Sequence, residues 1–351
     1  MLIYLLCVLI ILLFKIASIK NDRLNSIFFI CILIYLFFIA GFRGSVGSDT
    51  AVYADIYMVY LQENYPVFGF RFEPAFILLM KVCSFFSDDY QLVLIVYSFL
   101  QSVFLYLVLV RVRYPFFFIL VYVLVFYLQF HLNTIRVGLA VLIFIYSLQQ
   151  NSTRRSVIFL VLALLNHFSI LLLIPIWVIY KNMLNWKVVV ALTLTATLLF
   201  FAIFDYFLIK VALYFHEKDS KISLGGVALV LFISPFLSYL ALSMLRMKIS
   251  LKMLAYNSLL VISVLGILYV DIFYRLYTLL GFFILFLIAN DQLGFKKQFS
   301  KVVFSSVFVL SITVPAVHSV VMEQSNVARV NGVSSVEYRY TFIPYSFFFN
   351  E

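Results

Sequence analysis

The chain has 351 residues, 65% of them hydrophobic and 11% charged, with a formal net charge of +10 and a mean hydropathy of +1.12. These values exclude a soluble globular domain, and recurrent apolar runs near the ~20 residues that cross a bilayer predict an all-α polytopic integral membrane protein. Short alternating strands that would build a β-barrel are lacking. The Lys and Arg sit in short loops, where they read as orientation signals and not as a nucleic-acid surface.

In chain order, Leu2–Ile19 reads as a retained span with no cleavage site after it. Lys15, Lys20 and Arg23 put the following turn in the cytoplasm, and Ile27–Ala40 returns outward. The stretch GFRGSVGSDTAVYADIY, Gly41 to Tyr57, then opens the longest polar interruption, so 41–73 is expected to be a long external loop. Its glycines permit tight turns and close backbone approach. Asp49 and Tyr53 are four apart and share a face if a helix starts near Ser48. Residues 74–86 predict a short or re-entrant helix carrying Lys81, with Pro74 just inside its start. Ser87, Asp88 and Asp89 read as a cap for a helix over Tyr90–Val110, in preference to a metal pair.

A span follows over Pro115–Phe130, then the external turn HLNTIR, then a span over Ile135–Leu148. The apolar stretch Val157–Tyr180 is expected to break near Asn166–His167. Only then do the basic clusters at 20–23, 111–113, 154–155, 181–187, 246–252 and 296–301 fall on one side. Later spans are expected near Val188–Tyr214, Gly225–Leu245, Met253–Val270, Ile272–Asn290 and Val302–Val320, with an external tail over 321–351. The whole is one transmembrane domain of roughly 10–12 segments, some of them broken or re-entrant. Cys7, Cys31 and Cys83 show no metal spacing, and there is no P-loop or dinucleotide fingerprint. No cofactor and no metal are expected.

Polar residues that are unusual in such a chain collect at the external end: Arg43, Asp49, Arg71, Glu73, Asn133, Arg136, His167, Asp271 and Arg275. Ionisable groups at membrane depth face a cavity or a partner. Local readings stand beside functional ones. Asp271 and Arg275 are one turn apart and suit a salt bridge, Arg71 and Glu73 suit a local pair, and Tyr65 and Tyr90 suit interfacial anchors. Arg136 opens a helix for which Asn133 or Thr134 is the expected cap. Amides, dipole and a forked guanidinium there favour an anion such as phosphate. His167, alone in an apolar run, reads either as a satisfied core histidine or as a base.

The order of these pieces resembles the EpsG family of exopolysaccharide polymerases, relatives of the Wzy O-antigen polymerases. The matching pieces are Arg43 with Gly47-Ser48-Asp49 and Tyr53, Glu73-Pro74, and Ile135-Arg136 with Gly138 and Ala140. Asn166-His167-Phe168-Ser169 follows, then Arg275 with Tyr277. Asn166 stands where the family commonly has an aromatic residue, and Val137 where it commonly has Gln.

The resemblance implies a GT-C-like glycosyltransferase in the bacterial inner (plasma) membrane, acting in exopolysaccharide, capsule or O-antigen synthesis. Its site would face the periplasm or exterior. It would transfer a glycan from undecaprenyl pyrophosphate to the next lipid-linked repeat unit, alongside a chain-length co-polymerase and a flippase. In that reading Arg136, Arg43 and Arg275 bind the pyrophosphate. Asp49 and His167 are the candidates for activating the acceptor, Asp49 being preferred, and Tyr53, Glu73, Asn133 and Tyr277 support them. The competing classes are a lipid-linked oligosaccharide flippase or transporter, and a membrane O-acyltransferase. A flippase calls for polar residues through the full depth of a pathway, whereas the central depths of these spans read as largely apolar. An acyltransferase fed from the cytoplasm would not confine its polar residues to the outer end.

Overall fold

A computed structural model describes residues 8–13, 22–44, 46–63, 73–181, 226–244, 251–267, 272–292 and 300–313. The described residues are helical, and none forms an extended β-strand. Expectations that fall on Tyr65, Arg71, Asp271, the segment 188–214 and the tail 321–351 lie outside the described residues. The chain divides into two compact units, one ending at His167 and taking in 316–351, the other running from Phe168 to Pro315.

In the first unit α1 (Asp22–Gly41) leads to α2 (Ser48–Glu63), which lies within the polar interruption. The short helix α3 (Pro74–Ser84) has Pro74 at its first position, where a missing N–H costs nothing, and Glu73 before it takes the extended backbone that a following proline enforces. Next comes α4 (Gln91–Leu109), capped as its acidic turn predicts. Asp89 Oδ1 accepts from Gln91 N at 2.8 Å and Ser87 Oγ from Asp89 N at 3.0 Å. By length and composition α4 is long and apolar enough to cross a membrane, and the apolar stretches of the other helices, over residues whose side chains are described, run to 10–17 residues.

Pro115 opens α5 (Pro115–Val121), which loosens into two π-helical turns, Tyr122–Phe126 and Leu128–Asn133. The second closes with Thr134 N donating to Gln129 O at 2.7 Å, a five-residue step. The reversal then enters α6 (Ile135–Leu148), whose residues from Gly138 to Leu148 are all buried. It packs against α4 and α7 (Thr153–Asn166), while α1 packs on α4 and α3 on α7. The expected break is where α7 stops: Asn166 is its last residue, and His167 is extended at φ −158° and ψ 126°.

Gly138 is where the reversal presses on α6. A Cβ there would meet Phe130 O, Gln101 Nε2 at 2.7 Å and Phe130 Cβ at 2.8 Å. Gln101 of α4 donates to Phe130 O at 2.9 Å and to Ile135 O at 2.8 Å, so one side chain ties both ends of the reversal. Gly138→Ala is expected to cost about 1–3 kcal/mol through overpacking. Thermal unfolding in detergent reads this, and an unchanged unfolding temperature would mean that the contact yields without strain.

The second unit holds a 3-10 turn (Phe168–Leu173), α8 (Ile174–Tyr180), α9 (Gly226–Met244) with Pro235 inside it, α10 (Leu251–Ile267), α11 (Ile272–Ala289) and α12 (Ser300–Thr313). Its core is the run from Tyr277 to Ala289 of α11, buried along its whole length. Asp291, at φ 61°, turns the chain after α11 and pairs with Lys301 at 2.7 Å.

Candidate active site

The site grows from the reversal between α5 and α6. Arg43, fully buried just after α1, donates from Nη1 to Ala40 O and to His131 O, both at 2.9 Å, and so ties the end of α1 to the second π turn. His131 Nδ1 lies 2.6 Å from the Tyr122 hydroxyl inside the same segment. Arg43 is thus seated on backbone carbonyls, although its place in the loop pattern predicts a phosphate donor.

Asn133 ends the π turn and reaches across the chain. Its Oδ1 accepts from Asp49 N at 2.8 Å, so it caps α2 and not the α6 helix for which it was the expected cap. Thr134, at the cap position of α6, makes no side-chain cap bond; its hydroxyl donates to Gln129 O at 2.9 Å. The cause is the π step, which turns these side chains away from the new helix. Gly47 permits the junction. It sits at φ +93°, and a Cβ there would run into Leu132 O.

Within α2, Asp49 and Tyr53 meet one turn apart as expected, the Tyr53 hydroxyl donating to Asp49 Oδ2 over a long 3.4 Å. Asp49 is half-buried and Tyr53 is buried. Burial pushes the Tyr53 hydroxyl up to about 12, with Asp49 adding to the shift and Arg136 opposing it. Tyr53 is therefore a neutral donor at neutral pH.

Arg136 is in the first turn of α6. Its guanidinium carbon lies 4.8 Å from the ring centre of Phe76 and 5.1 Å from that of Tyr53, so two aromatic faces hold its plane. Nη1 donates to Glu73 Oε2, and the other oxygen of Glu73 is 3.0 Å from His167 Nδ1. The Glu73 side chain is fully buried, against 14% exposure for Arg136 and 9% for His167. Burial alone would raise the Glu73 carboxyl, but His167 and Arg136 overturn that and hold it well below the usual carboxylate range. Glu73 therefore pairs across space with Arg136 and His167; Arg71, the local partner that the sequence offers, lies outside the described residues.

The first unit thus brings Asp49, Tyr53, Glu73, Asn133, Arg136 and His167 into one connected cluster, with Arg43 behind it. Arg275 and Tyr277 lie in the second unit, Arg275 exposed and Tyr277 buried with its hydroxyl donating to Ser311 O at 3.2 Å.

A family model, that of the EpsG family, matches the chain over residues 26–347, a range that contains this cluster. The chain belongs to the EpsG family. No curated protein and no solved structure matches it significantly.

Four residues of this EpsG-family site escape a reading of the sequence alone. Phe76 is hidden in an apolar run, and its signal is only its place two residues after Pro74. Gln101 is a lone amide within α4. Tyr97 and Tyr90 are buried tyrosines of the same region, Tyr90 being 7% exposed, although its place at a helix end predicts an interfacial anchor.

Proposed function

We propose that this EpsG-family chain is a polysaccharide polymerase. It would be a multi-pass glycosyltransferase of GT-C-like architecture in the bacterial plasma membrane, joining undecaprenyl-pyrophosphate-linked oligosaccharide repeat units at the external face. The family supports a polymerase role. The observation that carries the finer reading is the buried relay Arg136–Glu73–His167 at the mouth of α6. It sets a fixed cation beside an oriented imidazole in a water-poor setting.

In this mechanism an acceptor hydroxyl attacks the anomeric carbon of the growing glycan. The new glycosidic bond forms as the bond from that carbon to pyrophosphate breaks. Pyrophosphate leaves with the electron pair, and Arg136 offsets its developing charge without a metal. His167 takes the acceptor proton on Nε2, while Glu73 fixes the ring through Nδ1. Asp49, half-buried on α2, positions the incoming acceptor hydroxyl, while His167 remains the base. Arg43 acts chiefly by seating the π turn, and Arg275, in the second unit, is given no step in this mechanism. A chain-length co-polymerase and a flippase complete the proposed pathway.

The test is the length distribution of lipid-linked glycan in cells with and without the gene. Deletion is expected to leave single repeat units exposed on the outer face, and return of the wild-type protein to restore long chains. Loss of external single units would favour a flippase instead.

A further inference from the structure

The helix α4 is a long apolar element, yet it buries a polar stripe. Tyr90 stands just before it, and Tyr97 and Gln101 follow seven and four positions on, which puts all three on one helical face. Gln101 spends its amide on the reversal between α5 and α6. The hydroxyls of Tyr90 and Tyr97 are buried and have no hydrogen-bond partner among the described residues. A buried polar atom left in this way lowers stability, and more so in an apolar surround.

Phenylalanine would keep the ring contacts at both positions, Tyr97 against Phe76 at 6.0 Å and Tyr90 against Tyr57 at 5.9 Å between ring centres. The rings therefore do not explain the hydroxyls. Their surroundings do. Phe76, against which Tyr97 packs, is also the ring beneath the Arg136 guanidinium. Tyr97, its hydroxyl unsatisfied among the described residues, thus shares the Phe76 ring with the Arg136 guanidinium. Hydroxyl donors beside guanidinium donors suit a ligand that only accepts, and phosphoryl oxygens are such a ligand. A cation is disfavoured by the arginines.

We propose that Tyr97 donates a hydrogen bond to a phosphoryl oxygen held at Arg136, so that the buried face of α4 is a wall of the anion site. This rests on the reading of Arg136 as the pyrophosphate-binding group. The ligand is either free pyrophosphate or a prenyl-linked one.

The experiment uses the purified full chain in detergent, as wild type, Tyr97→Phe and Tyr90→Phe. Inorganic pyrophosphate and farnesyl pyrophosphate are titrated as probes, and the ligand-dependent shift in unfolding temperature is read. Without ligand, Tyr97→Phe is expected to unfold at the wild-type temperature or above, because it removes a buried hydroxyl that nothing among the described residues satisfies. Its apparent Kd for pyrophosphate is expected to rise roughly 10-fold or more, the scale of a hydrogen bond to a charged group. Tyr90→Phe is the control, removing a second buried hydroxyl of the same helix, and its apparent Kd is expected to stay at the wild-type value. A rise with farnesyl pyrophosphate only would also support the proposal and would assign the site to the lipid-linked form. Wild-type affinity in Tyr97→Phe overturns the proposal and leaves the polymerase reading standing, as does a lower unfolding temperature with unchanged affinity. If the wild type responds to neither probe, the proposal and the anion role of Arg136 fall together.

Discussion

Arg136→Lys is expected to slow chain extension on a lipid-linked repeat by roughly 10²–10³-fold, a loss of about 2.7–4 kcal/mol of transition-state stabilisation. The reason is geometric. Lysine keeps the charge but has no planar fork to engage Glu73 with one arm and a phosphoryl oxygen with another, and it cannot lie flat between Tyr53 and Phe76. Arg136→Ala is expected to fall further, because it also leaves Glu73 buried with one partner fewer. The assay is extension by purified variants whose folding has been checked by unfolding temperature. A well-folded Arg136→Ala protein that extends chains at the normal rate would remove Arg136 from the mechanism.

Glu73→Gln carries the largest expected loss of stability. The carboxylate is fully buried between a guanidinium and an imidazole, and an amide cannot serve both. Removing one member of such a buried set costs about 3–5 kcal/mol. The pH dependence follows from the direction of the Glu73 shift. Its folded pKa lies below the ordinary 4.5, so the unfolded chain binds the proton first. The stability that the carboxylate contributes is complete above pH 4.5 and is lost as the pH falls from there through the depressed folded value. Unfolding temperatures in detergent at pH 7 and pH 4 would read this. The wild type is expected to drop more steeply over that range than Glu73→Gln, which starts lower. Parallel curves for the two proteins would mean that the pairing adds no stability.

The parts of this site legible in the sequence are those where a polar residue interrupts an apolar run at a helix boundary. Arg136 is one, since Ile135-Arg136 follows a polar turn and begins a run of small and apolar residues. His167 is another, since the break at Asn166 is where a continuous span would misplace the basic loops. The i, i+4 pairing of Asp49 with Tyr53 is legible for the same reason that helix periodicity is. Partners across space are not. Glu73 has an arginine two residues away, and nothing local says that residues 63 and 94 positions later are the ones that grip it. The cap of Asn133 on α2 depends on a π step, which adds one residue to a helical ring and has no composition of its own. Tyr97 and Gln101 sit at helical positions in the middle of an apolar segment, where pattern alone makes them packing residues. The same segment reads as empty of polar function for that reason.

The spacing of the Glu73 contacts also bears on how the protein is made. Ribosomes add on the order of 5–20 residues per second. The carboxylate therefore emerges several seconds before Arg136, and longer still before His167. During that interval Glu73 has neither partner, so the short helix α3 is better kept in water or at the headgroups than packed. Docking of α3 must then wait for α7, which makes the assembly of this cluster a late, post-insertion event. A nascent chain halted between residues 136 and 167 would carry a half-paired carboxylate, a mark by which membrane quality control can tell unfinished molecules from finished ones.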